Sequence, residues 1–164
     1  MTKPPAPHLL QAVACGGRRD AIDEVALSHA RGLMEVGARV TTLAKLPAPR
    51  MAAHRESGAR VEHVGMLDTT LSAANPCLVL RVAWRMRREG VRGVLIHTGK
   101  AYPLLRLAAP RGVPLISVCH GPNFGLRLGA DVILCLNAEQ EARVRAALGR
   151  RAANKRILVL PNPS

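Results

Sequence analysis

The chain has 164 residues, 48% of them apolar, with a single Trp, a single Tyr and a single Phe and a formal net charge of +13. That length suits one domain with a substantial core and is too short for two ordinary ones. No apolar run approaches the ~20 residues of a membrane span, and the scarcity of aromatics leaves Leu, Val, Ala and Ile to fill the interior. The charge is mostly arginine and predicts attraction to polyanions: nucleic acid, anionic head groups or phosphorylated substrates. The alternative is an arginine-rich coding bias, in which part of this charge carries no function.

Residues 1–8, MTKPPAPH, read as a ragged tail. They are not a signal peptide, because the apolar stretch behind them is short and runs straight into glycines. LLQAVAC (9–15) reads as the first strand, followed by a glycine turn and a helix over 20–36 that Gly37 can close. Next come strand ARVTTLA (38–44), helix 50–57, strand ARVEHVG (59–65) and helix 74–89. Strand GVLIHT (93–98), helix 100–109 and strand PLISVC (114–119) follow. Residues from Pro122 to Leu128 read as a loop or one short turn. Strand DVILCL (131–136), a helix over 137–149 and strand RILVL (156–160) complete the series. Asn137 is a natural N-cap for that last helix, Glu139 and Glu141 favour its positive end, and Gly149 closes it. The strands are continuously apolar rather than alternating, which indicates burial on both faces, and they alternate with helices. The expectation is an α/β, Rossmann-like, doubly wound parallel sheet of about seven strands in a single domain over 9–160. Residues 161–164, PNPS, read as the start of an inter-domain linker.

In such a sheet, ligands bind beyond the carboxyl ends of the strands. The residues at those ends are Cys15-Gly16-Gly17-Arg18-Arg19-Asp20, His97-Thr98-Gly99-Lys100, His120-Gly121-Pro122-Asn123 and Asn137. Glycines before a helix let backbone N–H groups approach a phosphate. Gly16-Gly17 is nevertheless neither GxGxxG nor a Walker loop, and a plain tight turn explains it equally well. A lone histidine at a strand end more often satisfies a structural hydrogen bond than performs chemistry. His97 and His120 on neighbouring ends, with Arg18, Arg19 and Lys100 nearby, favour an electropositive cleft for a phosphate or a polyhydroxylated ligand. Asp20, Asp23 and Glu24 serve the helix dipole as readily as they serve catalysis. No carboxylate or cysteine completes a compact ligand set, so neither a metal nor a bound cofactor is expected. Cys15, Cys77, Cys119 and Cys135 form no CxxC pair and read as reduced, packed thiols rather than disulfides.

One basic segment needs its own reading. In LVLRVAWRMRREGVR (78–92), Arg81, Arg85, Arg88 and Arg92 recur at helical spacing beside Leu78, Val82 and Met86. A solvated outer helix face explains this. The functional alternative is docking on an anionic membrane surface, with Arg81, Trp84, Arg85, Arg88 and Arg92 facing the lipid. Nucleic acid fits less well, because almost no aromatics are present for base stacking.

Taken in order, Gly16-Gly17, HARGLMEVGARVTTLAK (29–45), GVLIHTGKAYPLLRLA (93–108), PLISVCHGPN (114–123), DVILCLNAEQEARVRAALG (131–149) and ILVLPNPS (157–164) resemble the N-terminal domain of family 4 glycosyltransferases of the GT-B fold. The resemblance implies a retaining, bacterial, sugar-transferring enzyme that uses a nucleotide-sugar as co-substrate. The nucleoside diphosphate would depart as an acceptor hydroxyl attacks from the same face, without a protein nucleophile or metal. The acceptor would be lipid-linked or a polysaccharide, at the cytoplasmic face of the membrane. His120 would be the catalytic residue, projecting into the inter-domain cleft to hydrogen-bond sugar hydroxyls, with Gly121 keeping the backbone low. Gly16, Gly17, Arg18, His97, Thr98, Lys100, Asn123 and Asn137 would bind substrate. The nucleotide-sugar-binding C-terminal domain would come in cis or in trans, and the 164-residue chain alone is expected to be inactive. Two departures stand out: Pro163 replaces the glycine usual after Pro-Asn, and Gly37-Ala38-Arg39 lacks the usual Gly-His pair. The alternative is a stand-alone Rossmann-like module that binds a phosphorylated metabolite or a polyanion.

Overall fold

Continuous apolar runs separated by amphipathic segments assemble in the way their period dictates. In the computed structural model, which describes residues 5–15, 21–121 and 125–160, the strands are β1 (His8–Ala14), β2 (Arg39–Lys45), β3 (Arg60–His63), β4 (Val91–Ile96), β5 (Leu115–Cys119), β6 (Val132–Cys135) and β7 (Arg156–Val159). All neighbours pair in parallel, in the order β3-β2-β1-β4-β5-β6-β7. The connecting helices are α1 (Ala21–Glu35), α2 (Ala48–Glu56), α3 (Pro76–Glu89), α4 (Tyr102–Ala108) and α5 (Ala138–Leu148). The expected doubly wound, Rossmann-like α/β domain is therefore the fold.

Local chemistry sets the element ends. Gly37, at φ 87°, closes α1 with a Schellman pair of bonds: Gly37 N donates to Met34 O and Ala38 N to Leu33 O. Asn75 and Asn137 cap α3 and α5, accepting from Leu78 N and Gln140 N. Gly90, left-handed at φ 63°, stops α3, and Val91 enters the sheet at once beside His8. β4 thus begins two residues earlier than the pattern of apolar residues suggests, and Arg92 lies on a strand.

Strand alternation divides the core. Leu10, Ala12, Leu43, Val94, Ile96 and Leu115 face α3 and α4 and pack with Val82, Met86, Leu104 and Leu105. Cys119, Ile133 and Cys135 face the same way, toward Val144 and Leu148 of α5. On the opposite face, α1 brings Ala26 to Val13 and Ala44, and Val25 to Val118 and Leu134. The central strands are buried on both faces, whereas the edge strands β3 and β7 are mostly open to solvent.

Candidate functional site

Strand order reverses between β1 and β4, and at such a point, where helices depart to opposite faces, open α/β sheets form their ligand crevice above the strand ends. Thr98 closes the base of that crevice. Its Oγ1 accepts from Ala14 N at 2.7 Å and donates to Ala14 O at 3.3 Å, so the hydroxyl is committed to tying β4 to β1.

Alternation then fixes the histidines. Val94 and Ile96 face α3 and α4, so His97 turns to the α1 side, and Val118 and His120 follow the same rule in β5. His97 is fully buried. Its Nδ1 lies 3.1 Å from His120 Nε2, and its ring centroid lies 5.3 Å from that of His120 and 5.4 Å from that of His29 on α1. Three imidazoles thus cluster on the α1 side of the strand ends, the buried His97 between the half-buried His29 and His120.

Arg127 comes from the short 3-10 turn Gly125–Gly129 and donates Nη2–H to the carbonyl of His97 at 3.2 Å. The guanidinium arm crosses Gly99, where a Cβ would stand 3.1 Å from Nε and 3.3 Å from Cγ. Gly99 is therefore a passage for Arg127. Burial and this cation set the protonation of the cluster. Burial, then repulsion from His120, His29, His54 and Arg127, holds His97 well below the ordinary imidazole range. Burial, then Arg127 and His29, brings His120 down to about 4. Burial also lowers His29 and Arg127. At neutral pH the crevice offers neutral imidazoles beside one partly buried guanidinium, a surface suited to oxygen-rich and anionic ligands.

The other expected site residues scatter. Lys100 is exposed on the Gly99–Ala101 turn, where its charge acts on Asp68, which pairs with Lys45 at 2.7 Å. Asn137 is exposed, and its Oδ1 is spent on capping α5. A Cβ on Gly121 would meet nothing within 4 Å, so packing does not demand glycine there. Gly16, Gly17, Arg18 and Asn123 lie outside the described residues. Asp23 is neither a free carboxylate nor a plain dipole partner: it is buried against His54 Nε2 at 2.9 Å and Arg50 Nε at 3.5 Å. Arg127 and His29 were not singled out from the sequence. Arg127 sits in a segment read as loop, and its one signal was a lone cation among the leucines and glycines of GLRLG. His29 had none, since a single histidine inside a helix carries no pattern.

The basic stripe also changes. Arg85 turns inward, only 19% exposed, to pair with Glu62 and Glu89. Arg81 reaches Glu62 at 3.1 Å, and Arg92 leaves the helix for β4. The exposed surface of α3 carries Leu80 and Trp84 beside Arg81, Arg87 and Arg88, with the Arg88 guanidinium carbon 4.9 Å above the indole. No helix among the described residues is long and apolar enough to cross a membrane. Among the same residues, no group of three or more His, Cys, Asp or Glu side chains is placed to hold a metal ion. None of the four cysteines forms a disulfide; Cys119 and Cys135 face each other across β5 and β6, and burial raises both, Cys135 to about 12.

No protein-family model matches the sequence, and no curated protein matches it significantly. Solved structures do match the fold. HepE (Alr3699) of Anabaena, solved with UDP and glucose, aligns with 96% of this chain and 45% of its own at 15% identity and a TM-score of 0.70. A glycosyltransferase of Rickettsia africae aligns with 95% of this chain and 43% of its own at 14% identity and a TM-score of 0.62. MnaA of S. aureus, solved with UDP, aligns with 94% of this chain and 43% of its own at 13% identity and a TM-score of 0.55. The chain has the Rossmann-like half-domain of a GT-B fold. It spans less than half the length of each of these structures.

Proposed function

We propose that the chain is the N-terminal, acceptor-side half of a retaining glycosyltransferase of the family 4 type. The observation that carries this reading is the His97–His120 pair, held beside Arg127 at the point where strand order reverses. The fold's likeness to proteins solved with UDP supports it. His120 is the catalytic residue, hydrogen-bonding a sugar or phosphate oxygen. A nucleotide-sugar is the co-substrate, and most of its contacts come from a second domain, in cis or in trans. The acceptor is lipid-linked or a polysaccharide, and the reaction uses departure of a nucleoside diphosphate without a protein nucleophile or metal. Gly16, Gly17, Arg18, Gly121 and Asn123 complete the acceptor side; Thr98 and Asn137 support the site through the backbone. Docking on the anionic inner face of the cytoplasmic membrane belongs to the same reading, supported by the exposed Leu80, Trp84 and Arg88 on α3.

The test is a screen of nucleotide-sugars and lipid or glycan acceptors, read by thermal shift and transfer, with the purified chain alone and mixed with any separately encoded second half. The expected result is stabilisation by an acceptor, no transfer by 1–164 alone, and transfer with retention once the second half is present. His120→Ala should then lower turnover about 100-fold, as removing one preorganised donor does elsewhere. Robust turnover by 1–164 alone, or no response to any sugar ligand, overturns the reading.

A further inference from the structure

His97 looks like a buried spectator, yet it holds one of His120's two nitrogens. Its Nδ1 stands 3.1 Å from His120 Nε2, and its own Nε2 is buried with no hydrogen-bond partner among the described residues. Two neutral imidazoles at this distance share a single proton. If His120 donated it, His97 would accept at Nδ1 and carry its own proton on Nε2, a buried N–H with no acceptor among the described residues. Buried donors left without acceptors are rare because their full desolvation cost is uncompensated. If His97 donates from Nδ1, no N–H is stranded. Burial first, and then the charge of Arg127 bonded to the carbonyl of the same residue, keeps a second proton off the pair.

We propose that His97 is a positioning residue that donates its Nδ1 proton to His120 Nε2, so that His120 stands as the Nδ1–H tautomer and presents one hydrogen-bond donor to an oxygen in the crevice. A free imidazole prefers its proton on Nε2, so the pairing inverts the default. The consequence for chemistry is specific. With Nε2 occupied and Nδ1 protonated, His120 has no lone pair to offer as a base. It acts on a sugar hydroxyl or a phosphate oxygen by donation alone. The identity of that oxygen rests on the sugar-transfer reading; the tautomer does not.

The test is a long-range proton–nitrogen NMR spectrum of the histidine rings of the full chain at neutral pH, without ligand, assigned through single-histidine variants. The expected result is a His120 ring protonated at Nδ1 and bare at Nε2. His97→Asn, whose amide N–H replaces the Nδ1 donor, should keep that signature. The His97 ring in the wild-type spectrum should be protonated at Nδ1 and bare at Nε2. A wild-type His120 protonated at Nε2, or a wild-type His97 bare at Nδ1, overturns the proposal. Because the wild-type spectrum alone decides the first point, a variant that fails to fold leaves the proposal falsifiable. The reading uses no substrate, so a failed tautomer leaves the transfer proposal to its own assay, and absent transfer leaves the tautomer standing.

Discussion

Asp23 Oδ1 and His54 Nε2 lie 2.9 Å apart in a pair with both side chains buried, bonding the first turn of α1 to the last turn of α2. Asp23 thereby holds the start of the helix that carries His29 onto His97. Asp23→Ala would strand the imidazole without its acceptor, at a cost of about 3 kcal/mol. Asp23→Asn keeps an oxygen facing Nε2 and should cost less than half of that. Urea unfolding of the two variants checks this; equal losses would show that the hydrogen bond is not what the core requires.

Stability should depend on pH through the crevice histidines. His120 falls from an ordinary 6.5 to about 4 in the folded protein, and His97 and His29 shift the same way. The unfolded chain therefore binds more protons between about 6.5 and about 4, so stability is full above that window and falls as pH drops through it. His120→Gln should flatten this loss relative to wild type, while titration of carboxylates remains common to both. Thermal midpoints measured at half-unit steps from pH 7.5 to 4 give the comparison, and parallel curves would count against a neutral His120.

Gly99→Ala tests whether the passage for Arg127 is what the glycine supplies. The new methyl would crowd Nε and Cγ of Arg127 at 3.1 and 3.3 Å and displace the arm from the His97 carbonyl. The stability cost should be about 1 kcal/mol, because a flexible side chain can yield. The midpoint of His120 should rise toward its ordinary value, since one repelling cation has moved. NMR titration of wild type, Gly99→Ala and Arg127→Leu reads this directly, and an unmoved His120 in both variants would refute it.

The outer surface of α3 should bind vesicles containing anionic lipid and ignore zwitterionic ones. Trp84→Ala and Leu80→Ala should weaken binding at any salt, whereas Arg88→Ala should weaken it most at low ionic strength. Arg85→Ala should have little effect on lipid and instead lower stability, because Arg85 is turned toward Glu62 and Glu89. Vesicle sedimentation across a salt series separates these outcomes.

Much of this molecule is set by patterns a few residues long. The apolar runs around Leu9, Val40, Val94, Ile116, Ile133 and Ile157 specified the strands, and Gly37, Asn137 and Gly149 specified helix ends, because burial and capping are decided within a turn or two of the residue itself. Alternation of strands and helices then required a parallel sheet, and with it a crevice at the carboxyl edge. That His97 and His120 would stand at that edge followed from the strand ends alone. That His97 grips His120, that Arg127 lies across Gly99 to the His97 carbonyl, and that Arg85 turns inward to Glu62 were decided only by tertiary structure. Each of those contacts joins residues more than twenty positions apart, where the outcome depends on which neighbouring element the sheet places within reach, and no local period encodes that distance.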